Sequence, residues 1–419
     1  MPKSIFFELS GGDLCNVGDV AMTQIAQERM RDSFPLAANV LVSGRPDRVT
    51  ELFPGSGVAS GRGRDLYFRP GSLMRSLRAR PALEESIRVR YPHAAFLAVA
   101  VKRMIKQDGL TDLRNFLRSI RCSDVAIVAG GGWINDSFAG HARATLETLE
   151  MAKKQGTPVG MFGQGLGPIR DPQLLATARR VLPQIDLIAL REALRGPDLL
   201  AELGVQPSRV MVTGDDAIEL ALEAAPDALG LHLGVNLRIA KYSRVDDEQA
   251  VIIRAVLGAW AQSSQSQLVP LPISHCPDGL DREATRQLPN LLEPISGTPC
   301  SVADPRPLLA RVGLCRVVVS GSYHASVFAL AQGIPTVCLV GSRYYRHKFE
   351  GLADMFGDGV DLVDVHEQTG LAERLERSIN AAWNSAPYVR ASLRLAAERQ
   401  VKLSRAAYAR FAEIVTGTP

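Results

Sequence analysis

The residues of this chain that could do chemistry sit at the ends of short apolar runs. His324 follows the trio Ser320-Gly321-Ser322, which itself ends the run 317–319. An imidazole titrates near neutrality and can act as proton donor and acceptor in turn. Arg191 closes the run 187–190, and Arg238 comes two residues after Asn236 at the end of the run 231–236. A guanidinium in that position offers planar, bidentate recognition of a carboxylate or phosphate. Arg191 adjoins Glu192, so a structural ion pair is an equal reading. Arg238 has no acid beside it in sequence, and anion binding is its better reading. Asp215-Asp216 follow the run 209–213 and suit sugar hydroxyls or a helix cap. A metal suits them least, because no further ligands stand at ligand spacing. A basic, aromatic segment, Arg343, Tyr344, Tyr345, Arg346, His347 and Lys348, follows the run 336–340.

The elements that must position these groups repeat a strand, turn, helix pattern. Residues 316–351 read as one βαβ unit, with a helix over 323–332 and Gly333-Ile334-Pro335 leading to the next strand. In open α/β sheets ligands bind beyond the carboxyl ends of strands, where helix N-termini offer free N–H groups. A histidine there is placed for chemistry, against the alternative of a hydrogen-bonded core residue. Further strands are expected over 5–9, 40–43, 124–129, 158–162, 187–190 and 209–213. The stretch 222–230, LEAAPDALG, reads as a linker. Beyond it the pattern restarts with strands over 231–236 and 267–271. The alternation predicts an α/β protein of two Rossmann-like, doubly wound domains facing a cleft, 1–224 and 225–419. The last helix, 387–415, is expected to pack back on the first domain. Residues 55–95, rich in Arg, Gly and Pro, read as an irregular excursion near the site.

Three polar turns add candidates. In Asn16-Val17-Gly18-Asp19, Asp19 reads as the N-cap of a helix over 20–31 and Asn16 as facing the cleft. Gly130-Gly131-Gly132 with Asp136 follows a strand; its glycines allow close ligand approach, or serve only a tight turn. It is neither a Walker A loop nor a dinucleotide fingerprint. In Gly163-Gln164-Gly165-Leu166-Gly167-Pro168, Gln164 is expected to point into the cleft. His93, His141, His232, His275 and His366 are isolated, and among them only His275 ends a strand. No catalytic triad, zinc-protease motif or nucleophile elbow is readable.

Composition narrows the classes. The 419 residues exceed one ordinary core, and a net charge of +4 is too small to mark a nucleic-acid binder. It suits anionic small substrates or a negative membrane surface. Six cysteines, Cys15, Cys122, Cys276, Cys300, Cys315 and Cys338, are scattered, which predicts reduced thiols and a cytoplasmic protein. The first residues lack a signal-peptide pattern, and no apolar run approaches ~18 residues, so membrane contact is expected to be peripheral.

In order and spacing, Asn16–Asp19, Gly130–Gly132 with Asp136, Gly163-Gln164-Gly165, Leu190-Arg191-Glu192, Asp215-Asp216-Ala217, Gly234–Arg238 and 320–348 together resemble the polysaccharide pyruvyl transferase family. The resemblance implies a GT-B-like fold and transfer of pyruvate from phosphoenolpyruvate to a sugar of a bacterial cell-surface polysaccharide, such as an exopolysaccharide, or of its lipid-linked precursor, as a cyclic ketal. Its implied partners are phosphoenolpyruvate and the saccharide, with no nucleic acid, no metal and no cofactor beyond that donor. Work at the inner face of the membrane and self-association are both compatible with it. His324 would be the general acid/base and Arg238 its catalytic partner. Asn16, Asp19, Gly131, Gly132, Asp136, Gln164, Arg191, Asp216, Ser320, Gly321, Ser322, Tyr344 and Lys348 would bind substrate. One position departs: many members carry arginine two residues before the histidine, where this chain has Ser322. Arg343, Arg346 or Lys348 are the candidates to replace its charge. A GT-B-like glycosyltransferase using a nucleotide sugar, and a non-catalytic glycan-binding protein, are the competing readings.

Overall fold

In a computed structural model, described over residues 1–239, 243–276, 281–286, 288–292, 302–366 and 370–417, twelve strands form two parallel sheets. The first holds β1 (Ser4–Leu9), β2 (Ala38–Ser43), β3 (Gly57–Ser60), β4 (Val125–Ile134), β5 (Val159–Leu166), β6 (Leu187–Leu190) and β7 (Val210–Val212), in the order β3-β2-β1-β4-β5-β6-β7. The second holds β8 (His232–Asn236), β9 (Leu268–Pro270), β10 (Cys315–Ser320), β11 (Thr336–Val340) and β12 (Val360–Asp364), in the order β12-β11-β10-β8-β9. Parallel strands need crossover helices on both faces, so the strands are apolar on both sides. On β1, Phe6 enters one core while Ile5 and Phe7 enter the other, as the two-residue side-chain period requires.

Strand order reverses between β1 and β4 in the first sheet and between β8 and β10 in the second. Such reversal points open a crevice at the carboxyl ends of the strands. The turns after β1, β8 and β10 and the glycine end of β4 are the segments that carry Asn16, Arg238, His324 and Gly132.

Several local expectations change. Strands β4 and β5 run on through their glycines to Ile134 and Leu166 instead of stopping before them. Gly130 and Gly131 have φ of 64° and 116°, which keeps the chain extended while bending it in a way L side chains resist. The first helix begins at Val17, capped by the Asn16 side chain, which accepts from Gly18 and Asp19 N–H. Asn16, not Asp19, is therefore the N-cap. Residues 55–95 are largely ordered as β3 and the helices Gly61–Phe68 and Pro81–Arg90, followed by Pro92–Lys106. Buried acids hold this region: Glu84 accepts from the N–H groups of Gly71 and Leu73, and Arg88 pairs with Glu147.

The closing helix, Leu371–Thr416, is longer than the pattern suggests because Pro387 lies inside it. Proline cannot donate to the carbonyl four residues back. That carbonyl, on Trp383, instead accepts from Arg316 Nε at 2.9 Å. The helix packs Leu393, Ala396 and Ala397 on the second domain and Ala407, Tyr408 and Phe411 into the first, where Tyr408 stacks on Phe162. No helix among the described residues is long and apolar enough to cross a membrane.

The cysteines correct the expectation of reduced thiols. Cys15, after β1, and Cys276, after β9, form a disulfide across a sequence separation of 261. The pairing depends on the two domains facing each other, which no local spacing encodes. Cys122, Cys315 and Cys338 are free thiols, and Cys300 lies outside the described residues.

Candidate active site

Both domains line one cavity of about 520 Å³. From the first come Asn16, Asp19, Gly132 and Arg191; from the second come Arg238, Ser322, His324, Tyr344 and Lys348. The disulfide closes one side, since Cys15 and Cys276 also line it.

His324 occupies the first turn of the helix Tyr323–Ala331, which Ser322 begins. The Ser320 hydroxyl donates to Ser322 O and accepts from Ser322 N–H, which fixes the turn. Imidazole Nε2 is buried without a hydrogen-bond partner and lies 3.7 Å from Asp215 Oδ2. Burial, then the positive charges of Arg191, Lys348 and Arg238, hold His324 well below its usual range. It is therefore a neutral base.

The cations are built in from both sides. Arg191 Nη1 lies 3.3 Å from Asp215 Oδ2, and its guanidinium covers the Tyr323 ring at 4.0 Å. Its neighbour Glu192 turns away to accept from Arg195 and Gly196 N–H, so the sequence-adjacent ion pair does not form. Burial pushes the Asp215 carboxyl up, and Arg191 pulls it back. Lys348 Nζ sits 4.1 Å over the Tyr344 ring, and burial followed by Arg191 pushes it well below the usual lysine range. Tyr344 donates its hydroxyl to Gly132 O at 3.0 Å, binding the two domains at the cavity wall.

Arg238 lines the cavity but is not without an acid: its Nε lies 2.9 Å from Asp281 Oδ1. Asp281 also accepts from Asn236 Nδ2 and from Ile273 and Ser274 N–H, which fixes the guanidinium as well. Arg238 Nη2 reaches 3.5 Å from Ser322 Oγ, so a guanidinium stands beside the position where the resemblance leads one to expect arginine. Arg346 pairs with Asp364 and Arg343 is absent from the lining, which leaves Lys348 as the segment's contribution.

Six expected site residues serve the frame instead, Ser320 in the turn before His324 among them. Gln164 is buried and donates to Gly130 O and Phe162 O, shaping the glycine bend without lining the cavity. Gly131 holds that bend at its positive φ. Asp136 accepts from Arg170 and Asp171 N–H. Asp216 accepts from the hydroxyls of Ser404 and Tyr408 on the closing helix. Gly321 packs against the Arg238 backbone, where a β-carbon would lie 3.0 Å from Arg238 N.

Asp215, left out of the expected substrate ligands, and His141, set aside as isolated, complete the site with the expected Asp19. Asp215 faces His324 and Arg191, while its neighbour Asp216 faces the closing helix; a tandem pair gives no sign of which member points where. His141, read as isolated, lines the cavity with Nδ1 3.0 Å from Arg64 Nη2 and its ring 4.4 Å from that of Trp133. Burial and Arg64 push it down to about 3. Asp19 lines the cavity, accepts from Ser10 Oγ at 3.1 Å, and is pushed up to about 6 by burial. A neutral histidine and a carboxyl that titrates near neutrality thus share one hollow with cations suited to an anionic substrate.

Comparison with solved structures supports the architecture. The chain is similar to a putative UDP-N-acetylglucosamine 2-epimerase from Listeria monocytogenes (13% identity, TM-score 0.58, covering 100% of this chain and 98% of that one). It is also similar to the glycotransferase of kitacinnamycin (13%, TM-score 0.52, 100% and 99%). The UDP-GlcNAc 2-epimerase from Neisseria meningitidis is alike in the same way (14%, TM-score 0.51, 99% and 99%). At these identities the likeness concerns the fold, two Rossmann-like domains in the GT-B arrangement. No curated protein matches the chain. The family model described as polysaccharide pyruvyl transferase matches residues 16–343, a span holding every group placed around the cavity except those of the turn 10–15 and Tyr344, Tyr345 and Lys348. The chain belongs to the polysaccharide pyruvyl transferase family, and it is a transferase.

Proposed function

We propose that this enzyme moves the pyruvyl group of phosphoenolpyruvate onto two hydroxyls of a sugar in a cell-surface polysaccharide or its lipid-linked precursor. The observation that carries the reading is the convergence of Arg191, Arg238 and Lys348 around the unpartnered Nε2 of His324 in one interdomain cavity. Phosphoenolpyruvate brings a carboxylate and a phosphate, and the cations match both.

The chemistry is balanced by the sugar's two hydroxyl protons. One hydroxyl adds to C2 of the donor as the methylene carbon gains a proton and becomes methyl. The C2–O bond to phosphate then breaks, the second hydroxyl closes the ketal, and inorganic phosphate leaves with the remaining proton. His324, held neutral by burial and the neighbouring cations, accepts a hydroxyl proton; the donor's negative charge then favours the imidazolium, which returns a proton. Arg191 and Lys348 stabilise the departing phosphate. A cytoplasmic setting now rests on the donor, an intracellular phosphate ester, because the disulfide removes the support that reduced cysteines gave it.

Purified protein incubated with phosphoenolpyruvate and candidate saccharides is expected to release phosphate and to give an acceptor with the mass gain of a ketal. His324→Gln should lower turnover by about 10²–10⁴-fold, the usual contribution of a general acid/base. Phosphate release unchanged in that variant, or transfer supported only by nucleotide sugars, would overturn the reading.

A further inference from the structure

The first domain carries a second hollow, away from the cavity, whose charge is of one sign. Arg69, Arg75, Arg78, Lys102, Arg103 and Lys106 line it, and no acid does. Nearby acids are engaged elsewhere: Glu84 accepts from Gly71 and Leu73 N–H, and Asp108 pairs with Arg62. Lys102 is held at the base, donating to the carbonyls of Gly71 and Ser72 at 2.7 and 3.2 Å. Burial, then Arg103 and Lys106, lower its affinity for a proton, as expected where like charges crowd.

The helix Pro92–Lys106 that supplies three of these cations is apolar on both sides. Ala95, Val99 and Ala100 enter the first domain's core. On the other side Leu97, Val101, Met104 and Ile105 stand 60%, 52%, 59% and 78% exposed. Their spacing of four, seven and eight residues places them on one face. Met74, next to Arg75 in sequence and just before the 3₁₀ turn Arg75–Ala79, is another exposed apolar side chain. At about 100° per residue Lys102, Arg103 and Lys106 project beyond the edges of that face, so a surface meeting it finds the apolar groups first and long cationic side chains around them, the composition of an interfacial helix.

We infer that this face of the first domain docks on an anionic lipid bilayer. A second copy of the chain is disfavoured by charge, because a twofold contact sets the same patch against itself and would oppose the six cations to six more. The hollow is joined to the catalytic cavity by an intermediate one, which shares Leu66, Arg69 and Arg103 with the basic hollow and Gly12, Asp13 and His141 with the cavity. Docking would therefore bring the cavity within reach of an acceptor held in the membrane. That last point rests on the pyruvyl transfer reading; the docking does not.

The test uses the full chain and vesicles of phosphatidylcholine and phosphatidylglycerol at about 2:1, with pure phosphatidylcholine as the neutral control. Co-sedimentation is expected with the anionic vesicles, falling as salt rises. Arg75→Glu/Arg78→Glu/Lys106→Glu should weaken partition by about 100-fold or more, since each cation near such a surface contributes roughly a fivefold factor. Met104→Gln/Ile105→Gln should weaken it without removing the salt dependence. Unchanged thermal unfolding and circular dichroism show that both variants are folded. The inference is overturned if the wild type ignores anionic vesicles or if neither variant changes binding. It is equally overturned if sedimentation velocity shows a self-association that Met104→Gln/Ile105→Gln abolishes. Binding is read without turnover, so its failure leaves the catalytic proposal standing, and the reverse holds too.

Discussion

Gly18 and His324 meet across the two domains so closely that a β-carbon at residue 18 would fall 2.1 Å from Cγ and Nδ1 of the imidazole. These atoms are at the root of the ring, so His324 could not yield by moving only its tip. Gly18→Ala sets two effects against each other. Alanine favours the helix Val17–Ser33 by up to ~1 kcal/mol, while displacement of a catalytic group by about 1 Å costs about 10²-fold in rate. The expected variant is folded and at least ~100-fold slower in phosphate release. A rate within a few-fold of wild type, with His324 still required, would refute the placement.

Arg191 and Asp215 separate structure from substrate binding. Arg191→Met leaves a buried carboxylate without its cation, a change that costs about 3–5 kcal/mol. Arg191→Met/Asp215→Asn removes both charges and should recover most of that stability in urea unfolding. Turnover should stay low in both variants, with a raised KM for phosphoenolpyruvate. Recovery of activity along with stability would reduce Arg191 to a structural ion-pair partner.

Asp216 makes stability depend on pH. Burial pushes it up to about 7 despite the hydroxyls of Ser404 and Tyr408. Its folded-state value lies above the unfolded one, so its contribution is present below about pH 4 and lost as pH rises through about 7. In Asp216→Asn that loss disappears. Unfolding free energies at pH 5 and pH 8 should differ by about 1–3 kcal/mol less in the variant than in wild type. An equal difference in both proteins would show that other groups set the slope.

The Cys15–Cys276 bond ties the two halves of the chain at the cavity. Closing so long a loop restricts the unfolded chain, and its removal is expected to cost about 2–5 kcal/mol. Reductant should therefore lower the unfolding midpoint of wild type and leave that of Cys15→Ser/Cys276→Ser unmoved. Equal midpoints for reduced and oxidised wild type would exclude a stabilising role.

How much of this was legible in the sequence depended on distance along the chain. The βαβ unit around His324 was readable because its strand, turn and helix signals are contiguous, and Gly321 and Ser322 stand where the turn needs them. Asp19 was mistaken for a cap because both it and Asn16 can accept N–H bonds, and only the backbone shows where the helix begins. Arg238 looked free of acids because Asp281, its partner, is 43 residues away. The tandem aspartates could not be told apart, since one meets the cavity and the other a helix nearly 200 residues later. Residues 55–95 lacked a clear period because buried ion pairs, including those of Glu84, Arg88 and Glu147, replace part of an apolar face.

The closing helix also bears on the order in which the molecule can be made. Chains emerge from the ribosome N-terminus first, and domains tend to fold as they appear. Here one face of the first sheet is finished by Tyr408 and Phe411, and Tyr408 meets Asp216 across 192 positions. A nascent first domain therefore presents Phe162 without its stacking partner until Tyr408, far along the chain, has emerged. The last packing step of this domain waits for that helix, and until then the uncovered sheet is a surface for chaperones to guard.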